Sequence, residues 1–230
     1  MKKIVIIAMG LVASAAALAQ DKVEATIAAD FVSQYVWRGI DCGHVSVQPT
    51  LGIAYRGFSL EAWGSVGFKS EDNKEIDLTA SYTTGGLTVA VTDYWFDDPE
   101  PRYFYYNSHS TSHVFEASVA YDFGLLSAAW YTNFAGNEGW TASGKRPYSS
   151  YVEVNAPFRL ATCEWTGTVG AVPYASPYYE TSGFAVTNIA LKASKDIKIT
   201  DTFSIPLFAQ VIANPSSQKA YFVVGFTLQP

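Results

Sequence analysis

The segment K-V-E-A-T-I-A-A-D-F-V-S-Q-Y-V-W-R, Lys22 to Arg38, alternates between two kinds of side chain. Its odd-numbered positions are apolar or aromatic apart from Ser33, and its even-numbered positions include Glu24 and Asp30. Successive side chains of a β-strand point to opposite faces, so a period of two residues gives one apolar and one polar face. The segment therefore predicts a first strand with a single apolar face.

Further strands are predicted along the rest of the chain, most of them by the same alternation. Two of them, 87–96 and 125–134, alternate poorly and are assigned by their length, flanking turns and β-rich composition. The additional strands are placed at 47–55, 58–69, 75–84, 87–96, 113–122, 125–134, 149–158, 163–172, 184–193, 202–213 and 219–228. The chain is therefore predicted to be all-β, with about 12 strands.

The links between the predicted strands alternate between short and long. The short links are 56–57, 85–86, 123–124 and 159–162, and the long ones are 39–46, 70–74, 97–112, 135–148, 173–183 and 214–218. The link 194–201 falls in a short slot but is longer, and is an exception. Two-residue links that contain glycine favour tight hairpins between antiparallel neighbours. The pattern predicts an up-and-down antiparallel sheet with tight turns at one end and long loops at the other.

The polar face of these strands is mostly Ser, Thr, Gly and Ala. A soluble lipocalin-like barrel or a β-sandwich would need more charge on the face that meets water. Aromatic girdles around an apolar belt are typical of an outer-membrane barrel, which must close because backbone groups cannot face lipid unpaired. Aromatic residues crowd the predicted strand ends at Tyr35, Trp37, Tyr55, Phe58, Phe68, Trp95, Tyr121, Phe123, Phe158, Trp165, Phe184 and Phe222.

These features predict an antiparallel transmembrane β-barrel with short periplasmic turns and longer extracellular loops. In the first strand, Phe31, Tyr35 and Trp37 are expected on the lipid face. Arg38 and Gly39 are expected where the chain leaves the membrane for the first outside loop.

The N-terminus has the form of a secretory signal peptide, residues 1–19. A basic start precedes an apolar run at 4–12, and a small-residue site predicts cleavage after Ala19. The apolar run is too short to span a bilayer.

The remainder, 20–230, is predicted to be a single barrel domain with 13 basic and 21 acidic residues, a net charge of −8. Such an acidic exported chain is not expected to bind nucleic acid.

The chain has two cysteines, Cys42 and Cys163. Cys42 is expected at the loop end of the barrel and Cys163 just after a tight turn at the opposite end. A ten-residue strand rises roughly 33 Å, whereas a disulfide requires Cα atoms within about 7 Å. The two thiols are therefore predicted to be unpaired.

The run S-Q-Y-V-W-R-G-I, Ser33 to Ile40, is followed by V-Q-P-T-L-G-I-A-Y, Val47 to Tyr55. These runs resemble the opening of the TorF-like family of outer-membrane porins from Gram-negative bacteria. The resemblance covers 29–67 and extends diffusely to the ending F-V-V-G-F-T-L. It implies a location in the bacterial outer membrane more firmly than an activity. Such barrels usually end on Phe, whereas this chain ends L-Q-P. The departure implies a weaker C-terminal signal for the barrel-assembly machinery.

No catalytic, cofactor or metal motif is evident. His44 and Ser46 share one face of an extended segment, as in some outer-membrane lipid hydrolases, but nothing in the sequence identifies an orienting acid or an oxyanion donor. His109 and His113 have a spacing that suits a metal only on a helix, and their Ser- and Asn-rich surroundings disfavour a helix. We therefore predict no enzyme activity, no cofactor and no metal site.

The outside loops are rich in aromatic residues, which could stack on sugars or, more simply, pack the loops and the upper girdle. They are Tyr103, Phe104, Tyr105, Tyr106, Trp140, Tyr148, Tyr174, Tyr178 and Tyr179.

The leading functional hypothesis is a porin or narrow channel for small hydrophilic solutes, with a preference for cations because most inward charges are acidic. The expected partners are outer-membrane lipid and lipopolysaccharide, the assembly machinery, and small solutes or ions. The residues predicted to line the lumen are Glu24, Asp30, Arg38, Glu61, Trp63, Lys69, Glu75, Asp77, Tyr94, Glu116, Glu153, Glu164 and Lys192.

Two alternatives remain open at this stage. One is an outer-membrane enzyme that acts on lipid or lipopolysaccharide. The other is a plugged structural or adhesion barrel, in which Arg38 and Lys69 pair with inward acids and bulky side chains such as Trp63 and Tyr131 fill the lumen. Twelve strands lie between the small barrels that side chains fill and the large ones that hold a water channel.

Overall fold

The computed structural model describes residues 22–72, 74–201 and 203–230. The proposed signal peptide and its cleavage site lie outside the described residues. Within these ranges no helix is long and apolar enough to cross a membrane. The strands are β1 Glu24–Val32, β2 Tyr35–Trp37, β3 Ile40–Gly43, β4 Ser46–Tyr55, β5 Phe58–Gly67, β6 Glu75–Thr84, β7 Leu87–Phe96, β8 His113–Asp122, β9 Ser127–Gly136, β10 Ser150–Leu160, β11 Cys163–Val172, β12 Ala185–Lys198, β13 Ser204–Asn214 and β14 Lys219–Leu228.

Twelve of these strands form one closed antiparallel barrel, and β2 and β3 form a separate two-stranded sheet. Each barrel strand pairs with its neighbour in the chain, with β4 following β1. The barrel closes where β1 pairs with β14, from Ala29 opposite Leu228 to Val32 opposite Gly225. The predicted all-β, up-and-down barrel of 12 strands is confirmed.

The two faces of the barrel wall differ as the alternation predicts. The outer face is apolar and exposed, as Ile27 on β1 and Leu51 on β4 illustrate. The inner face is largely polar and covered, as Gln48 on β4 and Thr92 on β7 illustrate. The apolar side chains of this wall therefore do not form a core in the usual sense, because they point away from the enclosed space.

The short and long connections lie at opposite ends, which we call the turn end and the loop end. The predicted bounds of the link 194–201 are wrong, because β12 continues to Lys198, which pairs with Ser204 at the start of β13. Its charged last residues were read as a loop, but a strand can project beyond the apolar belt and expose charged side chains there. The start of β9 at Ser127 is two residues later than predicted.

The cysteines Cys42 and Cys163 are both free, as predicted. Cys42 lies on β3 and Cys163 is the first residue of β11.

Candidate functional site

The first long connection folds back into the barrel as a β-hairpin, residues Tyr35–Gly43, which we call the inner hairpin. Its strands pair with Trp37 opposite Ile40, so Arg38 and Gly39 form a two-residue turn. Both turn residues have positive φ, 50° and 80°. This is the requirement of a type I′ turn, whose twist matches that of paired strands.

Contacts with strands from several sides place the inner hairpin within the barrel. The ring of Tyr35 lies 5.6 Å from that of Trp63 on β5. Val36 packs against a buried apolar cluster of the wall that includes Ile212 on β13. Asn214, at the end of β13, donates a hydrogen bond from Nδ2 to the carbonyl oxygen of Gly39 at 3.0 Å.

Arg38 is the centre of the polar contacts made by the inner hairpin. Its Nη1 and Nη2 donate to the two carboxylate oxygens of Glu116 on β8, at 2.6 and 2.9 Å. Nη1 also contacts the hydroxyl of Tyr179 at 2.5 Å, and the hydroxyl of Tyr94 donates to Glu116 at 2.9 Å. The side chains of Arg38 and Glu116 are only 7% and 2% exposed. Bidentate pairing fixes the orientation of the guanidinium and strengthens the interaction.

Aromatic rings surround the same guanidinium. Its central carbon lies 4.2 Å from the ring centre of Trp37, 4.0 Å from that of Tyr131 and 4.8 Å from that of Tyr151. A desolvated guanidinium over an aromatic face gains a cation–π attraction of about 2 kcal/mol. Arg38 is therefore held by one carboxylate and by rings from the hairpin itself, β9 and β10.

A second long connection, between β11 and β12, also packs into the barrel. Tyr179 stacks on Trp37 with ring centres 6.0 Å apart, and Tyr178 meets Trp37 edge-on at 6.1 Å. A bridge between Ser176 and Thr181 holds this segment together. The loop end of the lumen is thus filled by two segments of the chain in contact with each other.

The lipid-facing positions predicted for Tyr35 and Trp37 are therefore wrong. β1 ends at Val32, where the backbone N–H of Ser33 bonds Val224 on β14. Arg38 and Gly39 are the tip of the inner hairpin and not the exit into an outside loop. Alternation alone cannot distinguish a longer strand from two strands separated by a bend, because both conserve the period of two.

Several of the predicted lumen residues are brought together around the inner hairpin. Asp77 is paired in register with Trp63 on one side and with Tyr94 on the other. Glu75, one step towards the loop end on the same face, is 7% exposed. With Arg38 and Glu116 these residues form one continuous region. Tyr151, Tyr178 and Tyr179 belong to it too and were missed, since they were treated as strand or loop aromatics without an inward role.

Of the other predicted lumen residues, Glu153 borders this region through Tyr151, whereas Asp30 and Lys192 have partners outside it. Glu153 accepts hydrogen bonds from Tyr151 and Asn155, and Asp30 accepts one from Thr227. Lys192 lies with its ammonium 4.2 Å from the ring centre of Phe208.

Four predicted lumen residues occupy more peripheral positions. Lys69 follows the end of β5 and pairs with Glu71 at 3.9 Å, with both side chains exposed, so it does not line the lumen. Glu164 pairs with Arg159 close to the turn end. Glu24, the first residue of β1, is exposed, and Glu61 lies on β5 between the hairpin region and the turn end.

His44 and His113 each have an acidic partner, whereas His109 Nδ1 lies 3.0 Å from the hydroxyl of Ser108 and has no acidic partner among the described residues. His44 Nδ1 lies 2.8 Å from Asp72, whereas Ser46 is 2% exposed and bonds Gln48 instead. His113 is fully buried, with Nδ1 2.7 Å from Asp93 and Nε2 2.6 Å from the carbonyl oxygen of Tyr103. Within 22–72, 74–201 and 203–230, no cluster of three His, Cys, Asp or Glu residues could hold a metal ion.

Several buried polar atoms in this part of the barrel have no hydrogen-bond partner in the protein. They include Gln48 Oε1, Asp77 Oδ1, Asn188 Oδ1 and both side-chain polar atoms of Asn133. Buried polar groups are almost always paired with protein or with ordered water. These atoms are therefore available to bind ordered water or a ligand.

No family model matches the chain, and no curated protein matches it. The resemblance to the TorF-like family therefore stays a prediction. Among solved structures, the chain is similar to one described as the NanC porin in a rhombohedral crystal form. The two are 9% identical over 89% of this chain and 98% of the other, with a TM-score of 0.41. A likeness at this level carries no argument about what this chain does.

Proposed function

We propose that this chain is an outer-membrane β-barrel that forms a narrow channel for small hydrophilic solutes, closed at its loop end by the inner hairpin. The twelve barrel strands close on one another, so the described wall has no free edge strand, and its apolar outer face suits lipid. The observation on which the proposal chiefly rests is the packing of residues 35–43 inside the barrel around the Arg38–Glu116 pair.

The polar inner face supports a passage for hydrophilic solutes. Ser, Thr and amide side chains face inward along many strands, among them Thr79 and Thr92, whose hydroxyls bond each other at 2.9 Å. The unpaired buried polar atoms near the hairpin also favour a hydrated interior. A barrel that served only as a rigid wall would gain stability from an apolar interior instead.

The proposed selectivity is a preference for cations. Arg38 is neutralised by Glu116, so the inward charges that remain below the hairpin are mainly acidic, including Glu61 and Glu153. Carboxylates that line a narrow passage favour cations. Reversal potentials across a salt gradient should show this preference and should shift towards zero in Glu61→Gln/Glu153→Gln.

The strand register provides a direct test of the hairpin as the closing element. Val32 and Ser46 are opposite each other in the β1–β4 pair, so residues 33–45 can be replaced by an Asn-Gly turn without stretching the barrel. In planar bilayers the native protein should conduct rarely, and the hairpin-free variant should show frequent conductance steps. A matched control shortens the exposed loop tip at 142–144, which should leave conductance unchanged.

A plugged structural barrel is the second candidate, favoured by the burial of Arg38 and its contacts with several strands. If the hairpin-free variant folds, as heat-modifiable migration would report, but conducts no ions, the channel proposal fails and the structural role remains. The enzyme alternative has no comparable support, because among the described residues the histidines with an acidic partner, His44 and His113, have no hydroxyl bonded to the ring, and His109, which contacts Ser108, has no acidic partner.

A further inference from the structure

We infer that the interior of the barrel holds a binding site for a divalent cation, Ca²⁺ by its ligand chemistry, formed by Glu75, Asp77 and Gln48. The inference concerns binding alone and holds whether or not the barrel conducts.

The first observation is a pair of inward carboxyl groups without a basic partner. Glu75 and Asp77 occupy alternate positions on β6, and their side chains contact each other. The hydroxyl of Tyr35 on the inner hairpin also contacts Glu75. In the part of the chain that the structure describes, no Lys, Arg or His forms an ion pair with either carboxyl group.

Other covered carboxylates of the protein are compensated differently. Glu116 is paired with Arg38, and Glu138 contacts Arg146 and accepts the backbone N–H of Ser149. Two neighbouring carboxylates in a covered site repel each other, and burial of uncompensated charge is costly. If both groups are ionised, the Glu75–Asp77 pair therefore requires a positive charge, and no described Lys, Arg or His provides it.

The second observation concerns buried oxygens without a hydrogen-bond donor, of which the one on Gln48 is independent of the acids. Gln48 on β4 is 1% exposed, and its Oε1 has no hydrogen-bond donor. The Nε2 of the same amide donates to Ser46 Oγ at 3.1 Å, so Oε1 lies on the side of the amide away from Ser46. Oδ1 of Asp77 is also covered and without a donor. Two buried oxygens that lack hydrogen-bond donors are suited to bind a cation.

The strand pairing brings these groups to one level of the wall. Ser65 on β5 pairs with Glu75, and Thr50 on β4 pairs with Trp63, which in turn pairs with Asp77. Gln48 points to the same inner face two residues before Thr50. The carboxyl pair and the amide oxygen thus line the same part of the lumen, on either side of β5.

The donor set indicates which cation would bind. All candidate ligands are oxygens, which hard cations prefer, and two carboxylates balance a divalent charge. Ca²⁺ accepts irregular oxygen sets, whereas Mg²⁺ demands a near-ideal octahedron. The thiol of Cys42 is directed to the carbonyl oxygen of Ile40 at 3.6 Å, so a thiolate-preferring metal is not favoured.

Terbium luminescence tests the site, since Tb³⁺ replaces Ca²⁺ at oxygen sites and is excited through nearby aromatic rings. Trp63 pairs with Asp77 and lies beside Tyr35, so both can sensitise a bound ion. Refolded protein in detergent should give luminescence that Ca²⁺ displaces. Glu75→Gln and Asp77→Asn should each weaken Tb³⁺ binding by about tenfold or more, and Gln48→Leu should weaken it less.

The matched controls are Glu153→Gln and Asp30→Asn, which remove inward carboxylates elsewhere and should leave Tb³⁺ binding unchanged. Heat-modifiable migration establishes that each variant is folded. No sensitised luminescence, or luminescence that persists in Glu75→Gln/Asp77→Asn, would show that these two carboxyl groups do not bind the ion and would overturn the inference. Because binding is measured without a membrane, a non-conducting barrel would leave this result intact.

Discussion

Gly39, at the tip of the inner hairpin, packs so closely against the backbone carbonyl of Thr187 on β12 that no side chain would fit between them. Gly39 also has a φ of 80°. Two separate constraints, the turn conformation and the contact with the wall, therefore require glycine at this position. The R-G step of the sequence is explained by the seating of the hairpin and not by a membrane boundary.

The first prediction is that Gly39→Ala displaces the hairpin tip. Gly144→Ala is its matched control, because Gly144 also has a positive φ, 72°, but has no atom within 4 Å of an added Cβ. Both variants incur a backbone cost of roughly 1–2 kcal/mol, but only Gly39→Ala adds a collision. Limited proteolysis should cut the hairpin faster in Gly39→Ala. Equal rates in the two variants would mean that the contact with Thr187 is not restrictive.

The second prediction concerns the buried Arg38–Glu116 pair. Glu116→Gln should destabilise the barrel by about 3–5 kcal/mol, because it leaves a buried guanidinium without its counter-charge. Arg38→Met/Glu116→Gln should recover part of that loss, since it removes both charges. Urea unfolding of the native protein, Arg38→Met, Glu116→Gln and the double variant completes a double-mutant cycle. A double variant as unstable as the sum of the single changes would argue against direct coupling of the two charges.

The barrel was predictable because its strands obey one simple rule: an apolar outer face and a polar inner face. From β4 to β7 the predicted and observed strands agree closely, with 75–84 and 87–96 matching β6 and β7. The same rule fails for Tyr35 and Trp37, because lipid and an aromatic-lined lumen both accept an aromatic side chain. The Arg-Gly step between Trp37 and Ile40 is the local signal for a tight hairpin. Trp37 pairs with Ile40 across this turn, so the chain reverses direction at a point where alternation alone predicts a continuous strand.

The composition of the site was less predictable than the fold. Alternation predicts that Arg38 and Glu116 both face inward, but their pairing joins positions 78 residues apart in the chain. Such a contact depends on which strands face each other across the barrel, and the sequence pattern of any single strand contains no information on that. The inward position of Tyr179 was not predicted either, because a long loop of the same composition can fold outward or inward.

The third prediction tests the packing of the wall at Gly170 on β11. An added Cβ would collide with the ring of Tyr151, whereas at Gly167 on the same strand it would meet nothing within 4 Å. Gly170→Ala should therefore destabilise the protein by roughly 1–3 kcal/mol, the usual cost of overpacking. Gly167→Ala should be close to neutral in the same urea titration. Tyr151→Leu should relieve the collision, so a Gly170→Ala defect that persists in Tyr151→Leu would contradict the packing argument.

The fourth prediction concerns pH at the loop end. The hydrogen bond from His44 lowers the pKa of the Asp72 carboxyl from its usual 3.8, and the backbone N–H groups of His44 and Lys69 act in the same direction. Because the folded-state pKa is lowered, the stabilisation from Asp72 is present above pH 3.8 and is lost as pH falls through the lower, folded-state value. NMR titration of the Asp72 carboxyl carbon should give a midpoint below 3.8 in the native protein.

In His44→Gln the midpoint should move back towards 3.8, because the largest cause of the shift is removed. His109→Gln, a change in a different loop, is the control and should leave the midpoint where it is; an unchanged midpoint in His44→Gln would mean that the backbone N–H groups alone hold Asp72 ionised.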